Sequence, residues 1–139
     1  MRLLRTWSLG LAMLLVGAAG AAASYRYISP DEMNKRLEAG PAAVLVDICP
    51  AEQFQKGHLP GSIQTNAHPV KTDREKAMLE KALSAIQASA GSDVVIVCPR
   101  GGTGAERTVQ HLKTLGVEEN RLLILGGGIE RWPHGTVTD

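Results

Sequence analysis

One cysteine in this sequence stands where a thiolate nucleophile would be expected. Cys98 directly follows the apolar run at residues 94–97 and precedes residues 99–104, which include three glycines and one arginine. Glycines let a loop curl so that successive backbone N–H groups point at one anion, and a helix that starts behind the loop adds the positive end of its dipole. Both effects favour the thiolate, which is the nucleophilic form of cysteine. The pattern therefore predicts Cys98 as a catalytic residue.

The residues next to Cys98 extend this prediction and set its limits. Arg100 brings a full positive charge to the loop, which further favours the thiolate. Pro99 has no N–H, so one donor is missing from the ring of amides, although its fixed φ also stiffens the loop. The alternative is a structural cysteine that packs as a small hydrophobic residue at a strand end. A turn into a helix does not otherwise need three glycines and a charge, which favours catalysis.

Cysteine phosphatases are a second class of enzyme that places a thiolate between a strand and a helix. Such an enzyme needs an arginine six residues after the nucleophile to hold the phosphoryl group. That position is Gly104 here, and the next arginine is Arg107. The spacing therefore disfavours phosphate ester hydrolysis.

Apolar strands and amphipathic helices alternate along the chain. A capping box at residues 29–32 predicts the start of a first helix, and the Gly-Pro pair at 40–41 predicts its end. Buried strands are predicted at 44–48, 94–97 and 122–125, with a possible short strand near Ile63 and turns over the rest of 50–68. Further helices are predicted at 73–88 and around Trp132. Another is predicted from the Cys98 loop to Gly116, with one apolar face formed by Ala105, Val109, Leu112 and Leu115.

This alternation predicts an α/β domain with three layers, in which a central parallel sheet carries helices on both faces. Ligands of such sheets bind beyond the carboxyl ends of the strands. Asp47, Cys98 and the glycines at 126–128 all fall at that edge. The sequence therefore predicts one site there.

The first 23 residues have the composition of a secretory signal peptide. Arg2 and Arg5 form a positive start, residues 7–19 carry no charge, and the alanines at 21–23 form a cleavage pattern. We therefore expect a signal peptide at 1–23, one globular domain at 24–139, and a periplasmic or secreted location. An uncleaved N-terminal membrane anchor is the alternative, although the apolar run is shorter than the ~20 residues of a spanning helix.

Composition argues against several classes of partner. The loss of Arg2 and Arg5 would lower the formal net charge from +1 to −1. A near-neutral chain with only 4% aromatic residues gives no electrostatic or stacking basis for binding nucleic acid. The histidines at 68, 111 and 134 have no carboxylate or cysteine at metal-site intervals, so neither a metal nor a cofactor is predicted.

Three motifs resemble those of the rhodanese-like domain, in the order and spacing of that family. Residues 47–63, DICPAEQFQKGHLPGSI, are similar to its first signature, although Cys49 stands where members usually carry arginine. Residues 98–103, CPRGGT, are similar to the loop of thiosulfate sulfurtransferases, and residues 125–132, LGGGIERW, are similar to the family's ending. The resemblance extends over residues 27–133.

This resemblance implies a rhodanese-like fold and a sulfurtransferase that carries sulfane sulfur on a Cys98 persulfide. Thiosulfate or a similar donor would supply the sulfur, and a thiol or cyanide would accept it; a protein partner in a sulfur relay is also compatible. Arg100 and Thr103 would bind the sulfonate-like end of the donor. The substrate-binding loop is completed by Gly101, Gly102 and Gly104, and amides around the first two would stabilise the persulfide anion. The membrane would be involved only through an uncleaved signal segment.

Asp47 and Cys49 are supporting residues whose roles the sequence leaves open. Without the usual arginine, Asp47 and Glu52 lose a partner. Cys49 reaches the same sheet edge as Cys98, so it either acts as a resolving thiol, bonds Cys98 in a disulfide, or points away into the core. Two alternative functions follow: a periplasmic persulfide carrier with little turnover, and a redox or disulfide protein built on Cys49 and Cys98.

Overall fold

The computed structural model describes residues 24–40 and 43–139. The predicted signal peptide at 1–23 lies outside these residues. Within the part of the chain that is described, no helix has both the length and the apolar character needed to cross a membrane.

Five parallel strands of the described chain form a sheet in the order β1-β5-β4-β2-β3. The strands are β1 (Tyr27–Ile28), β2 (Ala43–Asp47), β3 (Ile63–Gln64), β4 (Asp93–Val97) and β5 (Leu122–Leu125). Strand β4 lies at the centre, paired with β2 on one side and β5 on the other, and Asp47 is in register with Val97. The residue that follows β4, Cys98, therefore leaves the sheet from the middle of its carboxyl edge.

Helices cover both faces of the sheet. They are α1 (Pro30–Ala39), α2 (Ala51–Lys56), α3 (Asp73–Met78), α4 (Leu83–Ala88) and α5 (Thr103–Thr114), with 3-10 turns at Leu79–Ala82, Glu119–Arg121 and Ile129–Arg131. On one face, Ile86 of α4 and Leu112 of α5 belong to a buried apolar cluster with the strands. On the other face, Met33 of α1 packs in a second cluster with Leu59 and Trp132. These layers confirm the predicted three-layer α/β fold.

Helix α1 begins and ends at the predicted residues. The Ser29 hydroxyl accepts a hydrogen bond from the Glu32 N–H at 3.2 Å, which satisfies one of the free amides of the first turn. Gly40 ends the helix with a φ of 119°, a conformation that favours glycine. The Glu32 side chain does not complete the predicted capping box, because it faces Arg36 at 3.6 Å.

Two elements before β4 were not predicted from the sequence. Residues 51–56, which were predicted as turns, form α2, whose Phe54 is buried and stacks on the His58 ring with centroids 3.8 Å apart. Strand β1 has only two residues and forms because Tyr27 and Ile28 pair with Ile124 and Leu125. Strand β1 depends on a partner that is distant in sequence, and α2 is too short to show a helical period. Periodicity alone therefore predicts neither element.

The helix predicted at 73–88 is interrupted, and α5 ends earlier than its apolar pattern suggested. The 3-10 turn at Leu79–Ala82 divides the first helix, and it brings the fully buried Leu79 and Ala82 into line, since residues three apart eclipse in a 3-10 turn. Leu115 follows the last residue of α5 and is 36% exposed, so it does not belong to the buried face as predicted. Val117 is buried nearby and closes that end of the apolar cluster.

Candidate active site

Cys98 faces a cavity of about 460 Å³ at the carboxyl edge of the sheet. The residue is only 2% exposed, so the cavity is the route by which a small molecule would reach its sulfur. The cavity is lined by Gln53, His68, Cys98, Pro99, Arg100, Gly102, Thr103, Gly104 and Glu130. The central strand and the start of α5 thus bring most of the predicted loop residues to one cavity, whereas Gly101, Asp47 and Cys49 do not line it.

The sulfur of Cys98 accepts a hydrogen bond from the backbone of its own loop. The Gly101 N–H lies 2.8 Å from Cys98 Sγ. Helix α5, 12 residues long, begins at Thr103 directly after this loop, and its N-cap residue Gly102 provides no side-chain hydrogen bond. The positive end of the α5 dipole is therefore free to act on the loop. A backbone donor and a helix start in this arrangement stabilise negative charge on sulfur.

The loop after β5 packs directly against the Cys98 loop, and two glycines make that contact possible. A Cβ on Gly101, whose φ is 72°, would lie 2.9 Å from Gly127 N and from Leu125 O. A Cβ on Gly128 would overlap the carbonyl oxygen of Cys98. These neighbours are backbone atoms, which cannot turn aside as a flexible side chain would. The motif at residues 125–132 therefore packs directly against the motif at residues 98–103.

Two backbone hydrogen bonds hold these loops together. The Ile129 N–H donates to the Cys98 carbonyl at 2.9 Å, and the Glu130 N–H donates to the Pro99 carbonyl at 3.0 Å. Pro99 thus contributes an acceptor although it lacks a donor. The chain that follows β5 thus fixes the backbone at Cys98 and Pro99, where the Cys98 loop begins.

The predicted donor-binding side chains lie at the rim of the cavity. Arg100 is 81% exposed, and its Nε lies 3.1 Å from Glu130 Oε2. Its charge is therefore shared with a carboxylate that also lines the cavity. Thr103 is exposed at the same rim. Gly104 is buried beneath His68, since a Cβ there would lie 3.0 Å from His68 Cδ2.

Three lining residues of the cavity were missed by the sequence analysis: Gln53, His68 and Glu130. His68 was considered only for metal spacing, although it follows β3 at the same sheet edge as Cys98. Its N–H donates to Ile48 O at 2.8 Å, which fixes the segment beside β2. Position after a strand was the signal that could have found it.

The surroundings of the His68 imidazole favour its neutral form. Burial lowers the pKa of His68 below its ordinary value, and the charges of Arg107 and Lys71 act in the same direction against the opposing Glu75 carboxylate. A neutral imidazole at this place has one ring nitrogen that donates a hydrogen bond and one that accepts a hydrogen bond or a proton.

Asp47 is a buried carboxylate at the end of β2. It is 1% exposed; its Oδ1 accepts a hydrogen bond from Cys49 N–H at 2.8 Å, while Oδ2 has no partner among the described residues. The Asp47 backbone carbonyl accepts from the Thr65 hydroxyl at 2.8 Å, which joins β2 to the chain after β3. Burial raises the pKa of Asp47 above its ordinary value. Position 49, where the motif resemblance implies an arginine, holds Cys49, which offers Asp47 no positive charge.

Cys49 is a second buried thiol, and it does not bond Cys98. Both cysteines are free, although β2 and β4 are neighbours as the disulfide alternative required. Burial, and then the Asp47 carboxylate, raise the pKa of Cys49 far above that of an ordinary thiol. The Cys49 thiol therefore stays protonated at neutral pH, and a protonated thiol is a poor partner for exchange with Cys98.

His58 has a structural position outside the cavity. Its Nδ1 is 2.9 Å from the Phe54 carbonyl, and its backbone exchanges two hydrogen bonds with Val137, at 3.0 and 2.9 Å. These contacts tie the turn after α2 to the segment around Val137. For metal binding, residues 24–40 and 43–139 contain no group of three or more His, Cys, Asp or Glu side chains placed to hold an ion.

The fold and the three motifs define a class of protein, and comparison with known proteins identifies it. The chain belongs to the rhodanese-like domain family, whose model matches residues 29–134. It is 29% identical over 108 residues to the thiosulfate sulfurtransferase GlpE of Pseudomonas savastanoi pv. phaseolicola, a match that covers 78% of this chain and 87% of that protein.

Two further comparisons agree. The chain is 28% identical over 105 residues to the adenylyltransferase and sulfurtransferase UBA4 of Candida albicans, covering 76% of this chain and 23% of that protein. A crystal structure of a rhodanese-like domain protein from Staphylococcus aureus shares the fold with a TM-score of 0.59 at 18% identity, covering 82% of this chain and 98% of that one. The resemblance inferred from the motifs is confirmed, and it supports membership of the sulfurtransferase family.

Proposed function

We propose that this protein is a sulfurtransferase that carries sulfane sulfur as a persulfide on Cys98. The position of the Cys98 sulfur carries the proposal: it ends the central strand, faces a cavity and accepts the Gly101 N–H at 2.8 Å. A donor at this place favours the thiolate and, after loading, the persulfide anion. Similarity to a protein named thiosulfate sulfurtransferase supports thiosulfate as the donor.

The reaction consists of two displacements at sulfur. In the loading step, the Cys98 thiolate attacks the outer sulfur of thiosulfate, the S–S bond of thiosulfate breaks, and sulfite leaves with the electron pair. In the unloading step, cyanide or a thiolate attacks the terminal sulfur of the Cys98 persulfide. The bond between the two sulfurs breaks, Cys98 regains its thiolate, and the product is thiocyanate or an acceptor persulfide.

The rim residues would bind the donor while the loop holds the reacting sulfur. Thr103 offers a hydroxyl at the cavity mouth, and Arg100 reaches the sulfonate-like end of the donor when its guanidinium leaves Glu130. Gly102 has no side chain and leaves open space for an anion beside Cys98, whereas Gly104 lets the His68 ring pack against the start of α5. The charge of Arg100 favours thiosulfate over a neutral donor.

Asp47 and Cys49 act as positioning residues in this proposal. The hydrogen bond from Cys49 N–H to Asp47 Oδ1 shapes the turn after β2, next to the Cys98 loop. A resolving role for Cys49 is disfavoured because its thiol is protonated.

The test compares the wild type with Cys98→Ser and with Cys49→Ser as the matched cysteine control. We expect the wild type and Cys49→Ser to release sulfite from thiosulfate, to form thiocyanate with cyanide, and to gain the mass of one sulfur atom on Cys98. Cys98→Ser should lose all three readouts. Sulfite release that persists in Cys98→Ser would overturn the proposal.

The pairing of Arg100 with Glu130 favours a second candidate, a persulfide carrier that receives sulfur from a protein partner. Partial neutralisation of Arg100 weakens its attraction for a small dianionic donor. A carrier would be purified with sulfane sulfur on Cys98 but would show negligible steady-state turnover with thiosulfate. Rapid turnover would exclude this candidate.

We further propose that the protein is exported and that residues 1–23 are removed. The charge pattern and the alanines at 21–23 support this proposal. N-terminal sequencing of the exported protein should begin at Ser24. Full-length protein retained in the membrane fraction would favour the membrane anchor instead.

The disulfide alternative has its own test. Thiol counting without reductant should find no free thiol if Cys49 and Cys98 are bonded to each other.

A further inference from the structure

We propose that a groove beside the Cys98 cavity binds acceptor thiols that carry carboxylates. The groove has a volume of about 480 Å³ and runs along α5 from Thr103 past Arg107, with Lys71 and Lys76 on its opposite wall. We call it the basic groove. The proposal rests on the proposed function, because it names the class of acceptor that a Cys98 persulfide would serve.

The basic groove has an excess of positive charge. Lys71, Lys76 and Arg107 line it, against one carboxylate, Glu106. Among residues 24–40 and 43–139, none of these three cations forms an ion pair with a carboxylate. The Arg107 guanidinium is held in place because its Nη1 donates to the Pro69 carbonyl at 3.0 Å. The groove therefore presents three cations to an anion, of which Arg107 is held by a hydrogen bond.

The basic groove and the Cys98 cavity are adjacent. Thr103 lines both spaces. His68 lines the Cys98 cavity, and the next residue, Pro69, provides the carbonyl that fixes Arg107 in the groove. Because a helix rises about 1.5 Å per residue, Arg107 lies about 6 Å along α5 from Thr103. A ligand that places its thiol in the cavity would therefore bring a carboxylate on a short chain to Arg107.

The size and charge of the basic groove fit a small carboxylate. Its volume lies in the range of small-molecule sites. Arginine binds carboxylates with two parallel hydrogen bonds, and the lysines add charge without a fixed geometry. Glu106 limits the attraction for highly charged polyanions. Thiosulfate itself is too short to fill the cavity and the groove together, so the groove suits the acceptor rather than the donor.

The step served by the groove is the unloading of Cys98. The acceptor thiolate attacks the terminal sulfur of the Cys98 persulfide, the bond between the two sulfurs breaks, and its electron pair returns to Cys98 as a thiolate. The acceptor leaves as a persulfide, and no further reactant is needed. Binding of its carboxylate at Lys71, Lys76 and Arg107 holds the attacking thiol near the cavity, which raises the rate of attack.

The experiment measures single-turnover sulfur transfer from thiosulfate-loaded protein to three thiols: mercaptosuccinate, 3-mercaptopropionate and 2-mercaptoethanol, with two, one and no carboxylates. The test variant is Lys71→Glu/Lys76→Glu. The control is Lys35→Glu/Lys81→Glu, which makes the same change of charge at exposed positions outside both cavities. Both variants are first checked for an unchanged urea unfolding curve.

At low salt, the test variant should transfer sulfur to mercaptosuccinate about tenfold more slowly than the wild type, and the difference should shrink as salt is added. Transfer to 3-mercaptopropionate should fall less, and transfer to 2-mercaptoethanol should stay within about twofold. The control variant should behave like the wild type with all three thiols. An equal loss with all three thiols, or no loss with mercaptosuccinate, would overturn the proposal.

A binding measurement separates this proposal from the proposed function. If the wild type releases no sulfite from thiosulfate, the sulfurtransferase proposal fails. Calorimetric titration with S-methylmercaptosuccinate, which cannot react with a persulfide, still tests the basic groove. We expect the test variant to bind it at least about fivefold more weakly than the wild type and the control do. Equal affinity in all three proteins would refute the groove as a carboxylate site.

Discussion

Replacement of Gly128 by alanine tests whether the loop after β5 positions the Cys98 loop. The new Cβ would lie 2.5 Å from Arg100 N and from Pro99 C, and it would overlap Cys98 O. Relief of this overlap requires the two loops to separate. Gly128 also has φ 62° and ψ −166°, a conformation that costs a non-glycine residue about 1–3 kcal/mol.

Separation of the loops would weaken the bonds from Ile129 N–H to Cys98 O and from Glu130 N–H to Pro99 O, each worth about 0.5–1.5 kcal/mol. Together with the backbone cost, we expect Gly128→Ala to lower the free energy of unfolding by about 2–6 kcal/mol. This is a large share of the roughly 5–15 kcal/mol of a typical domain, so the variant should be measured at low temperature.

The assay is urea unfolding, combined with the rate at which iodoacetamide alkylates Cys98, read from the Cys98 peptide. Gly91→Ala is the control, because Gly91 also has a positive φ, of 88°, but its Cβ would meet no atom within 4 Å. The control should lose only the backbone cost, about 1–2 kcal/mol, and keep the wild-type alkylation rate. Equal losses of stability in the two variants, with Cys98 alkylated at the wild-type rate in both, would refute the packing argument.

Three further predictions concern charged groups of the site. Glu130→Gln should free the Arg100 guanidinium and lower KM for thiosulfate about two- to fivefold, less at high salt; a higher KM would contradict a role of Arg100 in donor binding. Because burial raises the pKa of Asp47, the folded state binds this proton more tightly than the unfolded state does, so the free energy of unfolding should fall as pH rises from 3.8 through the folded-state pKa. In urea unfolding, Asp47→Asn should lack this fall of the free energy of unfolding with rising pH. If the wild type and the variant gave parallel pH profiles, the prediction would be wrong. Because burial lowers the pKa of His68, the free energy of unfolding should fall as the pH drops below 6.5. His68→Gln should lose less stability over that interval. Thermal unfolding at a series of pH values measures both.

The central part of the fold could be predicted from the sequence because its signals are local. Strands β2, β4 and β5 are continuous apolar runs, which is typical of strands buried on both faces of a parallel sheet. The position of Cys98 directly after one of these runs then fixed its place at the carboxyl edge. Helix α1 carried its own start and stop signals, although Glu32 bonded differently from the prediction.

The elements that escaped prediction leave no clear signal in the local sequence. Strand β1 exists through its pairing with β5, nearly 100 residues away in the sequence. Helix α2 has six residues, too few to be stable alone, and forms where Phe54 is buried against His58. The break between α3 and α4 lies where Leu79 and Ala82 are fully buried, and the helical spacing of apolar residues does not mark it.

The same limit applies to the site. The Cys98 loop could be predicted because its glycines and Arg100 are adjacent in sequence. The pairing of Arg100 with Glu130, 30 residues later, could not, because it depends on how two loops pack. Gln53 and His68 lie on different elements from Cys98, and only the assembled sheet edge brings them to the cavity. Long-range packing therefore decides which charged and titratable groups lie around the sulfur.

The backbone bridge between His58 and Val137 has a consequence for access to the sulfur. Helix α2 supplies Gln53 to one wall of the cavity, and this short helix is secured at its far end by that bridge. A substitution of Val137 by proline would remove one of the two bonds, since proline has no N–H to donate. The shape of the cavity beside Cys98 thus depends in part on a residue 39 positions further along the chain that does not line it.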